Sequence, residues 1–304
     1  MKYVQKNKIT PSIKILVCYH KPARLYKSDV FVPIHAGRAL AKQSGILSSA
    51  EQNWMTTHLI GDDTGENISN LNSHFGELTA IYWAWKNYDK LGNPDYIGLE
   101  HYRRVFFPAD IRVAVHYDIT APLIHISPQE TIAQQFVQGH NSDDLFTALD
   151  LLAKKHPVYT ETIQKYLDQH SSYFFNMFIM KKELFFEYCS VLFPTLLETH
   201  AHIDYSCYTA YNQRMPGFIG ERLTHLFIAQ KASSCKIHSC RVVFQETPPS
   251  DVSACGLGGT IVRLGLLFQG CRCHLLSWLT WGRTRKHYQA KQQNYYARWS
   301  TPRL

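Results

Sequence analysis

Several things are missing from this 304-residue chain, and each absence removes a class of protein. No CxxC pair occurs. The closely spaced cysteines are Cys235 with Cys240 and Cys271 with Cys273, and Cys18, Cys189, Cys207 and Cys255 stand apart. Structural zinc wants tighter ligand pairs, and a disulfide framework belongs to small secreted domains, so a reduced cytoplasmic protein is expected. Met1 to Pro11 is polar and basic with no apolar h-region, which argues against a secretory leader there. No clean apolar run reaches the roughly 20 residues that a membrane span requires. "CYHKPARL", residues 18 to 25, has no glycine, so the phosphate-cradling loop of a nucleotidyl- or phosphotransferase is missing near the N-terminus. No internal repeat is visible.

Acid is absent from the end of the chain. Asp251 is the last carboxylate, and the net charge of +8 lies wholly in Arg263, Arg272, Arg283, Arg285, Lys286, Lys291, Arg298 and Arg303. Residues 1–251 are neutral. A neutral body with a basic end points to an anionic surface, either a membrane or a nucleic acid. The stretch 261–282 is apolar but interrupted by Arg263, Arg272 and His274. It reads as an interfacial segment, with Leu275, Leu276, Trp278 and Trp281 among the headgroups and Arg283, Arg285 and Lys286 on anionic lipid. A helix packed on the body is the plainer alternative. The expected division is a domain over 1–245, a linker over 246–260 and a membrane-associating tail over 261–304.

What is present reads as α/β. "IKILVCYH" (13–20) is a short apolar strand suited to a central sheet covered on both faces. Further strands are expected at 54–61, 95–101, 117–124, 173–182 and 236–244. Helices are expected at 77–91, from the apparent capping box Ser127-Pro128-Gln129-Glu130, at 142–154 and 157–169, at 182–200 and kinked or restarted at Pro194, and at 217–231. Strands alternating with helices imply a mostly parallel sheet.

Ligands of such sheets collect at the carboxyl ends of strands. Three segments have that character. In "DYIGLEHYRRVFF" (95–107) an apolar strand delivers Glu100, His101, Tyr102, Arg103 and Arg104. Guanidinium forks match phosphate oxygens, so His101, Arg103 and Arg104 suit a diphosphate, with His20 and Lys21 beside them after the first strand. Surface pairing of the arginines with nearby acids is the bland alternative. Cys18, Tyr19, Tyr102, Asn67 and Glu77 are candidates for the nucleotide and sugar. "GDDTGENIS" (61–69) gathers Asp62, Asp63 and Glu66, a possible Mn2+ or Mg2+ or ribose site, or simply a solvated turn. Glu221, in "GFIGERL", could be a general base or could only complement a helix dipole; Asp204 in "HIDY" is a second acid.

"KILVCYHKP", "PIHAGRAL", "IGDDTGENIS", "ELTAIYWAWKN", "DYIGLEHYRRVF", "NMFIMKKELFFEYC" and "GFIGERL" occur in that order over about residues 14–244. Together they resemble a family of bacterial capsule, exopolysaccharide and O-antigen synthesis proteins, long catalogued as a domain of unknown function. That family is grouped with GT-A-type glycosyltransferases, and some members are described as galactofuranosyltransferases. The resemblance implies one GT-A-like, Rossmann-type domain with a mixed, mostly parallel sheet. It implies a nucleotide-sugar donor, a UDP-sugar foremost, on the N-terminal half and the acceptor toward the C-terminal half. Such folds commonly carry a D-x-D metal motif where this chain has Glu100-His101-Tyr102, and the family usually has cysteine at position 100. Two readings follow: Arg103, Arg104 and His101 neutralise the diphosphate without metal, or Asp62 and Asp63 supply ligands; the first is preferred, and Glu100 would join the second. Glu221, with Asp204 as the alternative, would be the base of an inverting transfer to a lipid-linked saccharide at the inner face of the plasma membrane. A nucleic-acid-binding protein using the basic, aromatic end is the non-enzymatic alternative, and no nucleic-acid partner is expected on the leading reading.

Overall fold

The computed structural model describes residues 11–206 and 208–245. The linker over 246–260 and the tail over 261–304 therefore lie outside the described residues. In chain order the strands are β1 (Ile13–Tyr19), β2 (Phe31–His35), β3 (Ile60–Gly61), β4 (Tyr96–His101), β5 (Arg104–Phe106), β6 (Ile119–His125), β7 (Ser171–Tyr173), β8 (Phe178–Lys181), β9 (Ile237–Cys240) and β10 (Val242–Phe244). The helices are α1 (Arg38–Ser44), α2 (Ser49–His58), α3 (Asn72–Phe75), α4 (Leu78–Lys86), α5 (Pro108–Ala114), α6 (Ile132–Gly139), α7 (Ser142–Lys155), α8 (Thr160–Leu167), α9 (Lys182–His202) and α10 (Met215–Lys231).

The sheet order is β3-β2-β1-β4-β8-β6-β7, with β5 and β10 extending from β4 and β9 pairing β6. From β3 to β4 every pairing is parallel; β8 then runs antiparallel to both β4 and β6. The sheet is therefore mixed, parallel from β3 to β4 and again between β6 and β9. β1 shows why it sits in the middle. Its side chains alternate, Leu16 and Cys18 to the main apolar cluster and Ile15, Val17 and Tyr19 to clusters on the other face. Helices α4, α9 and α10 cover the main face and α2 the other, through Met55. Each large apolar side chain so buried contributes roughly 1.5–3 kcal/mol.

Five expectations need correction. The strand expected over 236–244 is two, β9 and β10, which part at Arg241 to pair β6 and β5. Residues 54–58 are helical, because Ser48 and Glu51 form a true capping box that starts α2, and only Ile60–Gly61 pair as a strand. The box at 127–130 is a decoy: Ser127 Oγ turns to Gln129, and α6 starts after Thr131, whose side chain is reciprocally bonded with Gln134. The strand expected over 173–182 is two strands broken at Phe175 and Asn176, which adopt φ of 71° and 52°. The helix does not restart at Pro194 but runs unbroken through it for 21 residues. The strand over 95–101, the helices over 142–154 and 217–231 and the strand over 13–20 agree closely with the sequence expectation.

Candidate functional site

A cleft of about 770 Å³ opens at the carboxyl ends of β1 and β4. Cys18 and His101 are register partners on these two parallel strands, so one face of the sheet presents both to the cleft. The period of two along β4 sends Glu100 the opposite way. Beyond β4 a tight turn carries Tyr102 and Arg103 before β5 begins at Arg104. Arg103 lies 5.3 Å from the Tyr102 ring and Arg104 4.7 Å from the Phe175 ring. Among the described residues neither guanidinium has an ion-pair partner, which leaves both charges available to an anion. Tyr102 stacks on Tyr19 at 5.2 Å, and Tyr19 is fixed by donating to the Arg24 carbonyl at 2.9 Å.

The imidazoles are held uncharged. His101 Nε2–H donates to the Phe175 carbonyl at 2.9 Å, and burial lowers its pKa. His20 faces the Tyr102 hydroxyl at 3.4 Å; desolvation first, then Arg103 and Lys21, lower it to about 4. They are therefore hydrogen-bonding groups at neutral pH, and the positive charge belongs to the arginines.

The opposite wall comes from the broken strand and α10. The left-handed conformation of Phe175 and Asn176 costs energy that neighbouring contacts must repay. Phe175 N–H donates to Glu221 Oε1 at 3.0 Å, while the same residue's carbonyl takes the His101 bond. Asn176 Nδ2 donates to Glu77 Oε1 at 2.7 Å. The kink thus fixes three polar residues of the cleft. Glu221 Oε2 also meets Arg222 Nη1 at 2.6 Å, and Arg222 is buried between the rings of Phe136 and Phe174. Burial raises the Glu221 pKa; Arg222 lowers it, Glu77 raises it, and Arg104 lies near enough to lower it as well.

Of the candidates named from sequence, Cys18, Tyr19, His20, Glu77, His101, Tyr102, Arg103, Arg104 and Glu221 line this cleft. The others do not. Asp62 is buried, and its carboxylate accepts from the backbone N–H of Gly37 and Arg38 at 2.7 and 3.0 Å and from Ser69 and Thr79 hydroxyls at 2.5 and 2.6 Å. It fastens the start of α1, where Gly37 has φ of 77° and a Cβ would strike Asn72. Asp63 holds Lys42 at 2.6 Å, and Asn67 closes its own turn onto Gly65 and Ser69. Asp204 is exposed and accepts from Ser206 N–H at 3.0 Å, and Lys21 is exposed beyond the rim. Glu100 is buried behind the sheet, with one oxygen on Phe106 N–H at 3.0 Å and the other unbonded. Desolvation pushes its carboxyl up to about 7. Asp62, Asp63 and Glu100 consequently do not fit a shared metal site: the first two spend their oxygens internally and the third faces away. Among the described residues no other group of three such side chains is placed to hold an ion.

Sequence reasoning missed Arg214, Arg222, Gln135, His140, Tyr211 and Phe218, all in the cleft lining. Asn176 carried a usable signal, since asparagine tolerates the left-handed region better than most residues. Arg222, next to Glu221, was the other.

Residues 14–232 match the family model described as "Domain of unknown function (DUF4422)", and the chain belongs to that family. Among solved structures, the chain is similar to one titled "WbbM bifunctional glycosytransferase apo structure", with 26% identity and a TM-score of 0.67 over 77% of this chain. The chain spans 45% of that protein's length. No curated protein matches it. With that likeness, the mixed sheet and its covering helices define a GT-A-like, Rossmann-type fold. No helix among the described residues is long and apolar enough to cross a membrane.

Proposed function

We propose that the protein is a glycosyltransferase that moves a hexosyl group, galactofuranose being the first candidate, from a nucleoside-diphosphate sugar to a saccharide. The observation that carries this reading is the pairing, in one cleft, of two guanidiniums that have no ion-pair partner among the described residues with a half-buried carboxylate whose pKa is raised. The likeness to a protein titled a glycosyltransferase supports it.

The donor's diphosphate lies against Arg103 and Arg104, with His101 and His20 as neutral hydrogen-bonding groups and Tyr19 and Tyr102 beside the nucleotide. As the bond from the anomeric carbon to the diphosphate oxygen breaks, its electron pair leaves with the nucleoside diphosphate. The guanidiniums stabilise the growing charge where water is scarce. An acceptor hydroxyl attacks the anomeric carbon, and its proton passes to Glu221. This is inversion with one carboxylate as base. Burial makes Glu221 a stronger base than an ordinary carboxylate, while Phe175 N–H and Arg222 keep it aimed. Asp204, exposed and outside the cleft, is not suited to this role. A lipid-linked acceptor would bring the reaction to the inner face of the membrane, with residues 261–304 on anionic lipid.

The test is a screen of UDP-, GDP- and dTDP-sugars for thermal stabilisation and donor hydrolysis, with manganese and with EDTA. Stabilisation by one nucleotide class, accompanied by slow hydrolysis, is expected. A chain that binds none of them in either condition would not be a nucleotide-sugar enzyme.

A further inference from the structure

The wall of the cleft opposite Arg103 and Arg104 is aromatic. His140, which caps the end of α6, lies 4.1 Å centroid to centroid from Phe218 and near-parallel to it. Tyr211 stacks on His140 at 17° and touches Phe218 at 5.0 Å. Tyr211 is 59% exposed, a large ring held against two others yet open on its outer face. Burial lowers His140 to about 4, so its ring is an uncharged surface at neutral pH. Gln135, on the same side, gives its amide oxygen to Arg222 at 2.8 Å, which leaves its N–H2 group unengaged among the described residues.

Three clustered rings with one open face, beside the Gln135 amide group, have the composition of a sugar subsite. A hexopyranose has one face of C–H bonds that packs on an aromatic ring, while its rim of hydroxyls asks for polar partners. The helix supplies the register. Phe218, Glu221 and Arg222 are spaced i, i+3 and i+4 on α10 and share one face, so the platform stands a single turn from the Glu221 carboxylate. We infer that Tyr211, Phe218 and His140 form the subsite for the acceptor's saccharide ring, stacking it so that a hydroxyl reaches Glu221. This inference rests on the transferase reading above and adds where the acceptor binds. A nucleobase could also stack on rings, and Arg214 lies 5.8 Å from the Phe218 ring, but Arg214 also meets Glu77 at 3.8 Å, whereas Arg103 and Arg104, with no ion-pair partner among the described residues, sit with Tyr102 and Phe175, which assigns the donor to the other wall.

The test uses the full chain and methyl glycosides of galactose, glucose, mannose and N-acetylglucosamine, followed by saturation-transfer NMR, with UDP affinity measured in parallel. At least one methyl glycoside should bind the wild type through its ring C–H protons. Tyr211→Ala should weaken that binding about tenfold, the loss expected for a stacked ring, and Tyr211→Phe should retain it. UDP affinity should be equal in all three proteins. Because Tyr211 is exposed, the alanine variant should melt within a degree or two of the wild type. Unchanged glycoside binding in Tyr211→Ala, no glycoside binding to the wild type, or loss of UDP affinity in Tyr211→Ala would each overturn the subsite. Tyr211-dependent glycoside binding without binding of UDP, GDP or dTDP would uphold the subsite while removing the donor reading.

Discussion

Strand ends build one wall of the cleft, and a kinked loop with a long helix builds the other. On the first, Arg103 and Arg104 lean on aromatic rings and form no ion pair among the described residues. On the second, Glu221 is bound by both oxygens, to Phe175 N–H and to Arg222. The difference separates two tasks. A group that must attract an anion is left unspent, whereas a group that must be aimed is tied down. The same contrast divides the acids. Asp62 spends its carboxylate on four donors of the scaffold, while Glu77 and Glu221 are held at the cleft surface.

The sharpest way to break that division is at Asp62. Asp62→Ala leaves two buried N–H groups and two hydroxyls without their acceptor, and should cost at least about 4 kcal/mol in urea unfolding. A loss of activity at unchanged stability would instead return Asp62 to the site. Next comes Glu221→Gln, which should lower transfer about 10²- to 10⁴-fold while donor affinity holds. In the wild type the base must be ionised, so kcat/KM should fall as pH drops through the raised Glu221 pKa. The acid limb should therefore lie above the ordinary value of 4.5. A limb at or below that value, or an unchanged rate in the glutamine variant, would remove Glu221 from the chemistry.

Glu100 comes third, with an effect on stability alone. Its carboxyl is raised in the folded state to about 7, against 4.5 unfolded. Between those values the native state binds more protons, so stability declines as pH rises and the penalty is complete above pH 7, at about 3 kcal/mol. Glu100→Gln should remove this decline, and chemical denaturation at pH 5 and pH 8 would show it. The smallest effect belongs to the first wall. Arg103→Ala should weaken the donor by about 1.5–3 kcal/mol, read in titration calorimetry, and lower turnover at saturating donor as well, because the departing diphosphate loses a partner for its growing charge. If turnover fell and affinity did not, the roles of the two walls would be exchanged.

The first wall was legible in the sequence because everything that makes it is local. An apolar strand followed by His101, Tyr102, Arg103 and Arg104 announces itself within ten residues, and parallel pairing sets it beside Cys18 to His20. The second wall was not, apart from Glu221. Its parts come from α6, the loop before α10, and a strand break that looks like continuous strand because Phe174 to Met180 are nearly all apolar. Asp62 misled for a physical reason: a carboxylate in a glycine-bearing loop looks the same whether it awaits a cation or caps the neighbouring helix. Only the positions of Gly37, Ser69 and Thr79 decide between these.

Phe175 serves His101 with its carbonyl and Glu221 with its N–H. A shift of that one residue disturbs both partners together, so neither can be retuned alone by replacing its own side chain. Directed evolution of this cleft should therefore yield paired changes, one near residue 101 and one near 221, or a first change at 174–176 that makes the others tolerable. Libraries randomised at one wall only should stall early.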